Sequence, residues 1–532
     1  MRWVIVCLSL LVPMLACSTG ESLVRPSDSP LPTDVDVDRD KAIYLSSGQP
    51  RTLDPALAHS GAYGPIGAIF SGLVRLDADL QVQPELAAGW DVSQDGLTYT
   101  FYLRSDAQYH DGRPVTAQDI VDSWERAASP SLGSDTVLTY LGDIVGVKEM
   151  VAGEAKHISG VRAIDEGTLE VRIDAPKVYF LSKLTYPVSF VVDIENSRQA
   201  DWEHHPNGTG AFALQEWVDD EYLILRKNDA YIGQIPEIDH VVYLMGAGIP
   251  LSMYEKGEID LVGVGGGDLE RVQDPNNPLH DDLLIGVNMC TSYVGFDNSK
   301  PPFDDPLVRQ AFAYALDRDR IIEGLLMGDA LAADGPLPPG MPGYTGDVDG
   351  YSYDPERAKD LLAQAGYADP ATFPVVTFNT SGYGGVGSFV TALISMWQDT
   401  LGITIEPVLL DPYLYLDELY SGNTGNIFSS GWCADYPDPE NFLDVLYHSD
   451  SPQNLIAYSN PELDSLLEAA RVEPDAAVRM AQYGEIERLI VQDSPAIFLV
   501  HSLSAELMKP RVKNYHWTPI GVAQWQNIYL EE

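Results

Sequence analysis

Ten histidines are scattered along the chain, and only His204 and His205 are close neighbours. Adjacent residues on an extended strand point to opposite faces, so this pair is a poor grip for one metal ion. No His-Glu-x-x-His, Cys-x-x-Cys or Gly-x-Ser-x-Gly pattern occurs, nor a Ser-x-x-Lys with its partners. Gly263-Val264-Gly265-Gly266-Gly267-Asp268 has the look of a phosphate loop but not the Gly-x-Gly-x-x-Gly spacing, and a turn after a strand is the simpler reading. Carboxylate pairs such as Asp304-Asp305 arise by chance among 79 acids and do not argue for glycoside hydrolysis. One stretch rises above this background. From Phe428 to Ser451 the chain reads FSSGWCADYPDPENFLDVLYHSDS, with Gly431, Trp432, Cys433 and Asp435 inside five residues. Gly431 permits close backbone approach, Pro437 and Pro439 exclude regular helix or central strand just beyond, and a disulfide at Cys433 would pin the backbone. Asp435 would then be held rigidly and aimed at a cation. The plainer alternative is a capped loop carrying a solvated acid.

The rest of the chain limits what that acid could serve. The 532 residues carry 79 Asp and Glu against 32 Lys and Arg, a formal net charge of −47. Such a balance repels phosphate backbones, so nucleic-acid machinery is excluded. With 45% hydrophobic residues a sizeable core is within reach. Residues 1–17 place one arginine before an apolar run from Trp3 to Leu15, too short to span a bilayer and suited to a secretory signal. Met14-Leu15-Ala16-Cys17 resembles the lipobox of bacterial lipoproteins, which implies a signal peptide over 1–16 and lipidation at Cys17. Cys7 would leave with the signal. The even pair that remains, Cys290 and Cys433, reads in an oxidising compartment as one disulfide, with two buried free thiols as the alternative. Closing a loop of 143 residues is worth about 5 kcal/mol on the chain-entropy argument. The Ser-, Pro- and Asp-rich stretch completes an expected flexible tether over 17–40.

Beyond Asp40, strands and helices alternate irregularly, which predicts a mixed α/β body. Strands are expected at Leu97 to Leu103, Leu169 to Ile173, Tyr222 to Leu225, Val241 to Leu244 and Leu283 to Val287. Thr116 with Asp119 opens a helix whose apolar stripe is Ile120, Val121, Trp124 and Ala127. Asp305-Pro306, Asp354-Pro355 and Asn460-Pro461 each offer a capping oxygen followed by proline at the first helical position.

Gly431-Trp432-Cys433-Ala434-Asp435-Tyr436 resembles the signature segment of the oligopeptide-binding proteins of bacterial ABC importers, extracellular solute-binding protein family 5. Further segments match in the family's order: Thr52-Leu53-Asp54-Pro55; Ile69-Phe70-Ser71-Gly72-Leu73; Leu97 to Arg104, followed by His110-Asp111-Gly112-Arg113; Gly257-Glu258-Ile259-Asp260; and Asn298 to Phe303, leading into Val308-Arg309-Gln310-Ala311-Phe312. The resemblance implies a periplasmic-binding-protein-like clam-shell of type II, two lobes with a hinge plus an inserted domain. The first lobe would take 41–70, 187–289 and 503–532, the inserted domain 71–186, and the second lobe 290–502.

The implied role is that of a monomeric receptor that needs no cofactor or metal. A peptide would lie extended between the lobes before delivery to the permease subunits of an ABC transporter, in the periplasm or at the outer face of the cytoplasmic membrane. Its main chain would pair with Gly431 and Cys433 on one side and with His59, Ser60, Gly61 and Ala62 on the other. Trp432, Tyr436 and Tyr140 complete the expected ligand-binding set. Asp435 matches the family acid that meets the ligand's α-ammonium, and Cys290–Cys433 matches the family disulfide. Three departures concern the ligand carboxylate: Ser429 stands where the oligopeptide type has arginine, an apolar residue near Leu326 replaces a lysine, and Gly382 to Gly385 replaces a histidine. These leave open a long, amidated or cyclic peptide, and another solute such as an oligosaccharide or metal chelate on the same fold. An extracytoplasmic hydrolase on this scaffold is the remote alternative.

Overall fold

The computed structural model describes residues 31–32, 35–58, 63–382, 384–522 and 524–531. Each expected cap opens a helix. Asp305, Asp354 and Asn460 accept backbone N–H bonds ahead of the helices Pro306–Tyr314, Pro355–Gln364 and Pro461–Arg471, each with proline in its first turn. Thr116 and Asp119 form a reciprocal capping box before the helix Ala117–Ala127, which buries Ile120, Val121, Trp124 and Ala127.

The five expected strands all form. One extends far beyond its expected end: Leu283–Phe296 runs for 14 residues, because its C-terminal half finds a second set of partners. Residues 283–287 pair with 503–507 of the strand Ala496–Met508, and 291–295 pair with 496–501 after a break in register. These two long strands join one sheet of 11 strands across its whole width. On one side lie Leu261–Gly263, Ala42–Ser47, His240–Met245, Tyr222–Lys227 and Phe212–Val218. On the other lie Ile427–Cys433, Val376–Ser381 and Ile405–Leu410. The register break falls where the strands pass from one half to the other, the position of a hinge.

Each half has an apolar core on both faces of its sheet. A separate antiparallel sheet of four strands, Ala87–Val92, Thr98–Leu103, Thr168–Arg172 and Val161–Asp165, builds the inserted domain with its own core around Phe101, Trp124 and Tyr140. Asp54 ties that domain to the first half: it caps the turn at Ala56 and accepts both guanidinium nitrogens of Arg126.

The body begins earlier than the expected end of the tether at 40. Leu31 is 2% exposed and packs with Tyr44 and Val242, with Val35 and Val37 beside it. Arg39 then pairs with the buried Asp260, which also accepts from Arg511 and from the Tyr44 N–H. Apolar residues among the Ser and Asp were enough to dock this stretch. The signal segment and Cys17 lie outside the described residues. The glycine-rich stretch opens the helix Gly266–Gln273, and the Asp329 carboxylate accepts the Gly266 N–H at its start. A side chain already occupies the place where an anion would sit.

Candidate functional site

The strand Ile427–Cys433 is fixed along one edge. It pairs antiparallel with Leu283–Phe296 from Ile427↔Phe296 to Cys433↔Cys290, and the two cysteines close a disulfide of 2.04 Å between strand neighbours. Along its other edge the neighbouring strand reaches only Ile427 and Phe428. From Ser430 to Cys433 that edge has no ladder partner among the described residues. Gly431 and Cys433 are exposed and Trp432 is half-buried, so this length of backbone faces open space.

Immediately beyond, the chain turns inward. The Asp435 N–H donates to Asn441 Oδ1 at 2.9 Å, and the Trp432 indole N–H reaches the same oxygen at 3.3 Å. Asn441 belongs to the helix Glu440–Tyr447, every residue of which is buried. Asp435 itself is 5% exposed, and its Oδ2 accepts a short hydrogen bond from the Tyr140 hydroxyl of the inserted domain. Burial dominates the acid's titration and pushes its carboxyl up to about 7, although the Tyr140 hydroxyl and the Asn441 side chain draw it down.

Asp435, Gly431, Trp432, Cys433 and Tyr140 all line one cavity of about 110 Å³. Its walls also include Tyr186, Tyr293, Tyr420 and Gln453, which the sequence reading missed because they come from distant stretches of chain. Tyr186 stacks on Tyr140 with ring centroids 3.7 Å apart. Among the described residues, none that lines the cavity is Arg, Lys or His. Ser429, in the place of the expected arginine, instead offers its carbonyl to the Tyr415 hydroxyl at 2.7 Å, and Leu326 packs against the core.

Tyr436, of the expected ligand-binding set, stands apart from the other members. It is fully buried in the core of the inserted domain, does not line the cavity, and donates its hydroxyl to Glu440 Oε2. His59, Ser60, Gly61 and Ala62 lie outside the described residues.

On the far side of the helix Glu440–Tyr447 a second cavity of about 610 Å³ separates the inserted domain from the second half. Charged groups of both bodies line it. Lys183 Nζ lies 2.9 Å from Glu440 Oε1 and 3.2 Å from Asp143 Oδ2, while Lys177 holds the other Asp143 oxygen at 2.6 Å. Arg471 grips both oxygens of Asp444.

Comparison with known proteins gives this geometry a context. The profile of "Bacterial extracellular solute-binding proteins, family 5 Middle" matches residues 81–454. The chain belongs to family 5 of the bacterial extracellular solute-binding proteins. This family 5 protein is 33% identical over 485 residues to the periplasmic oligopeptide-binding protein OppA of Escherichia coli, covering 87% of each chain. Among solved structures it superposes on the murein tripeptide-binding protein MppA of E. coli with a TM-score of 0.81 at 26% identity, covering 92% of this chain and 98% of that one. The Helicobacter pylori protein DppA in complex with the peptide STSA gives 0.80 at 26% identity, with coverage of 92% and 98%. The unliganded open form of MppA gives only 0.69 at the same identity, with coverage of 94% and 99%. The fold is therefore the type II clam-shell. Its lobes here are drawn together, with Asp435 of the second half buried against the Tyr140 hydroxyl of the inserted domain.

Proposed function

We propose that this protein is an extracytoplasmic receptor, anchored through a lipidated Cys17, that captures oligopeptides between its lobes and delivers them to the permease of an ABC importer. The lobes of this reading are 41–70, 187–289 and 503–532, with the docked residues from Leu31 added, against 290–502; the inserted domain is 71–186. The observation that carries it is the strand edge from Ser430 to Cys433, without a ladder partner among the described residues, which opens on a cavity ending at a buried carboxylate. A peptide lying along that edge adds a strand, and the main-chain bonds it makes are common to all sequences. Each contributes about 1 kcal/mol net, so several residues must engage and side-chain preference stays broad. Asp435 then fixes the register by pairing with the terminal ammonium.

Native mass spectrometry of freshly purified protein tests the reading. Peptides should dissociate from it on denaturation; a sugar, lipid or metal chelate as the sole bound species would overturn the assignment. Among the described residues none that lines the cavity is basic, which leads to a further expectation. Amidation of a peptide's C-terminus should change its affinity less than about threefold, since a paired carboxylate would contribute at least 1.5 kcal/mol. Calorimetry on matched acid and amide peptides measures this, and a tenfold preference for the acid would reveal a cationic anchor elsewhere in the groove.

A further inference from the structure

We propose that Lys183 and Glu440 form a clasp between the inserted domain and the second lobe, which holds the lobes closed and positions the ligand-binding segment without touching ligand. This deepens the receptor reading and rests on it. Three observations carry it. The ammonium comes from the inserted domain and the carboxylate from the helix Glu440–Tyr447 across the cavity between them, and both side chains are within 5% of full burial at 2.9 Å. Glu440 is also bonded on its other oxygen by Tyr436, the immediate neighbour of Asp435, so the clasp is wired to the segment that meets ligand. The lysine arrives already organised: Asp143, of its own domain, accepts from it and is itself held by Lys177. Opening the lobes therefore leaves Lys183 with one acid and strips Glu440 of its ammonium. Ion pairs of this kind, buried and hydrogen-bonded at an interface, act mainly on the rate of separation. Arg479 stacking over the Tyr179 ring at 5.1 Å joins the same two bodies close by.

The test uses the full-length protein and four forms of it: wild type, Lys183→Met, Glu440→Met, and the double variant. Peptide dissociation is followed by stopped-flow fluorescence, with one free-amino peptide and its Nα-acetylated counterpart. Each single variant should speed dissociation about tenfold, by the same factor for both peptides, with association unchanged within about twofold. The double variant should recover most of the loss, because no buried charge is left without its partner. Scattering from ligand-free protein should show the single variants more open than wild type and the double variant closer to it. That readout holds whether or not the solute is a peptide, so a failed receptor reading and a failed clasp remain distinguishable. Dissociation rates within twofold of wild type in both single variants would overturn the proposal. So would a factor that differs between the two peptides, which would put Glu440 in the ligand site, or a double variant as impaired as the sum of the singles, which would mark a purely structural role.

Discussion

Replacing Asp435 with asparagine should weaken binding of peptides with a free amino terminus by about one to two orders of magnitude, while Nα-acetylated peptides stay within about threefold of their wild-type affinity. The substitution keeps shape and burial and removes only the charge. In the native protein the carboxylate is pinned from three directions, by the disulfide next door, by Asn441 beneath its own N–H, and by the Tyr140 hydroxyl. A fixed, dry carboxylate meeting an ammonium makes a charge-assisted bond, and truncating one side of such a pair costs about 2–5 kcal/mol. At about 1.4 kcal/mol per factor of ten, the lower part of that range gives the stated loss. An acetylated peptide has no charge to pair, so it senses little beyond the change from acceptor to amide. Calorimetric titration of both peptides into both proteins decides the matter. Equal losses for the two would remove Asp435 from the role of ammonium receptor.

The sequence made some of this legible and hid the rest for physical reasons. Helix starts were readable because a capping oxygen and a proline act locally, within one turn, as at Asp305 and Asn460. Gly431 to Asp435 was readable because all its chemistry sits within five residues. The far end of the strand Leu283–Phe296 was not, since its pairing with Ile427–Cys433 depends on residues more than a hundred positions away. The same holds for the walls of the cavity: Tyr186, Tyr293 and Tyr420 carry no local signal, and Tyr186 meets the other two only across the cleft. Tyr436 packs into the core beside an acid that lines the cavity, because neighbours in a turn do not share a direction. Lys183 and Glu440 are 257 residues apart by number and looked like two charges among many.

Ligand-free protein should close more readily as the pH falls. In the closed form burial lifts the Asp435 carboxyl to about 7, whereas in the open form water returns it toward its ordinary value near 3.8. The closed, empty form therefore binds more protons between these limits. The cost of closing over an ionised Asp435 is absent below about pH 4, grows through the window, and reaches its full size, about 4 kcal/mol, above about pH 7. Between pH 8 and pH 5.5 the closed-to-open ratio should rise about thirtyfold from this acid alone. Asp435→Asn should remove most of this dependence. Small-angle scattering across that range measures the ratio, and a closed fraction that is flat or falls on acidification would contradict the argument. At neutral pH the same cost gives the receptor its discrimination: an empty cleft resists closing over an ionised Asp435, and an ammonium brought by the ligand is what lifts the resistance.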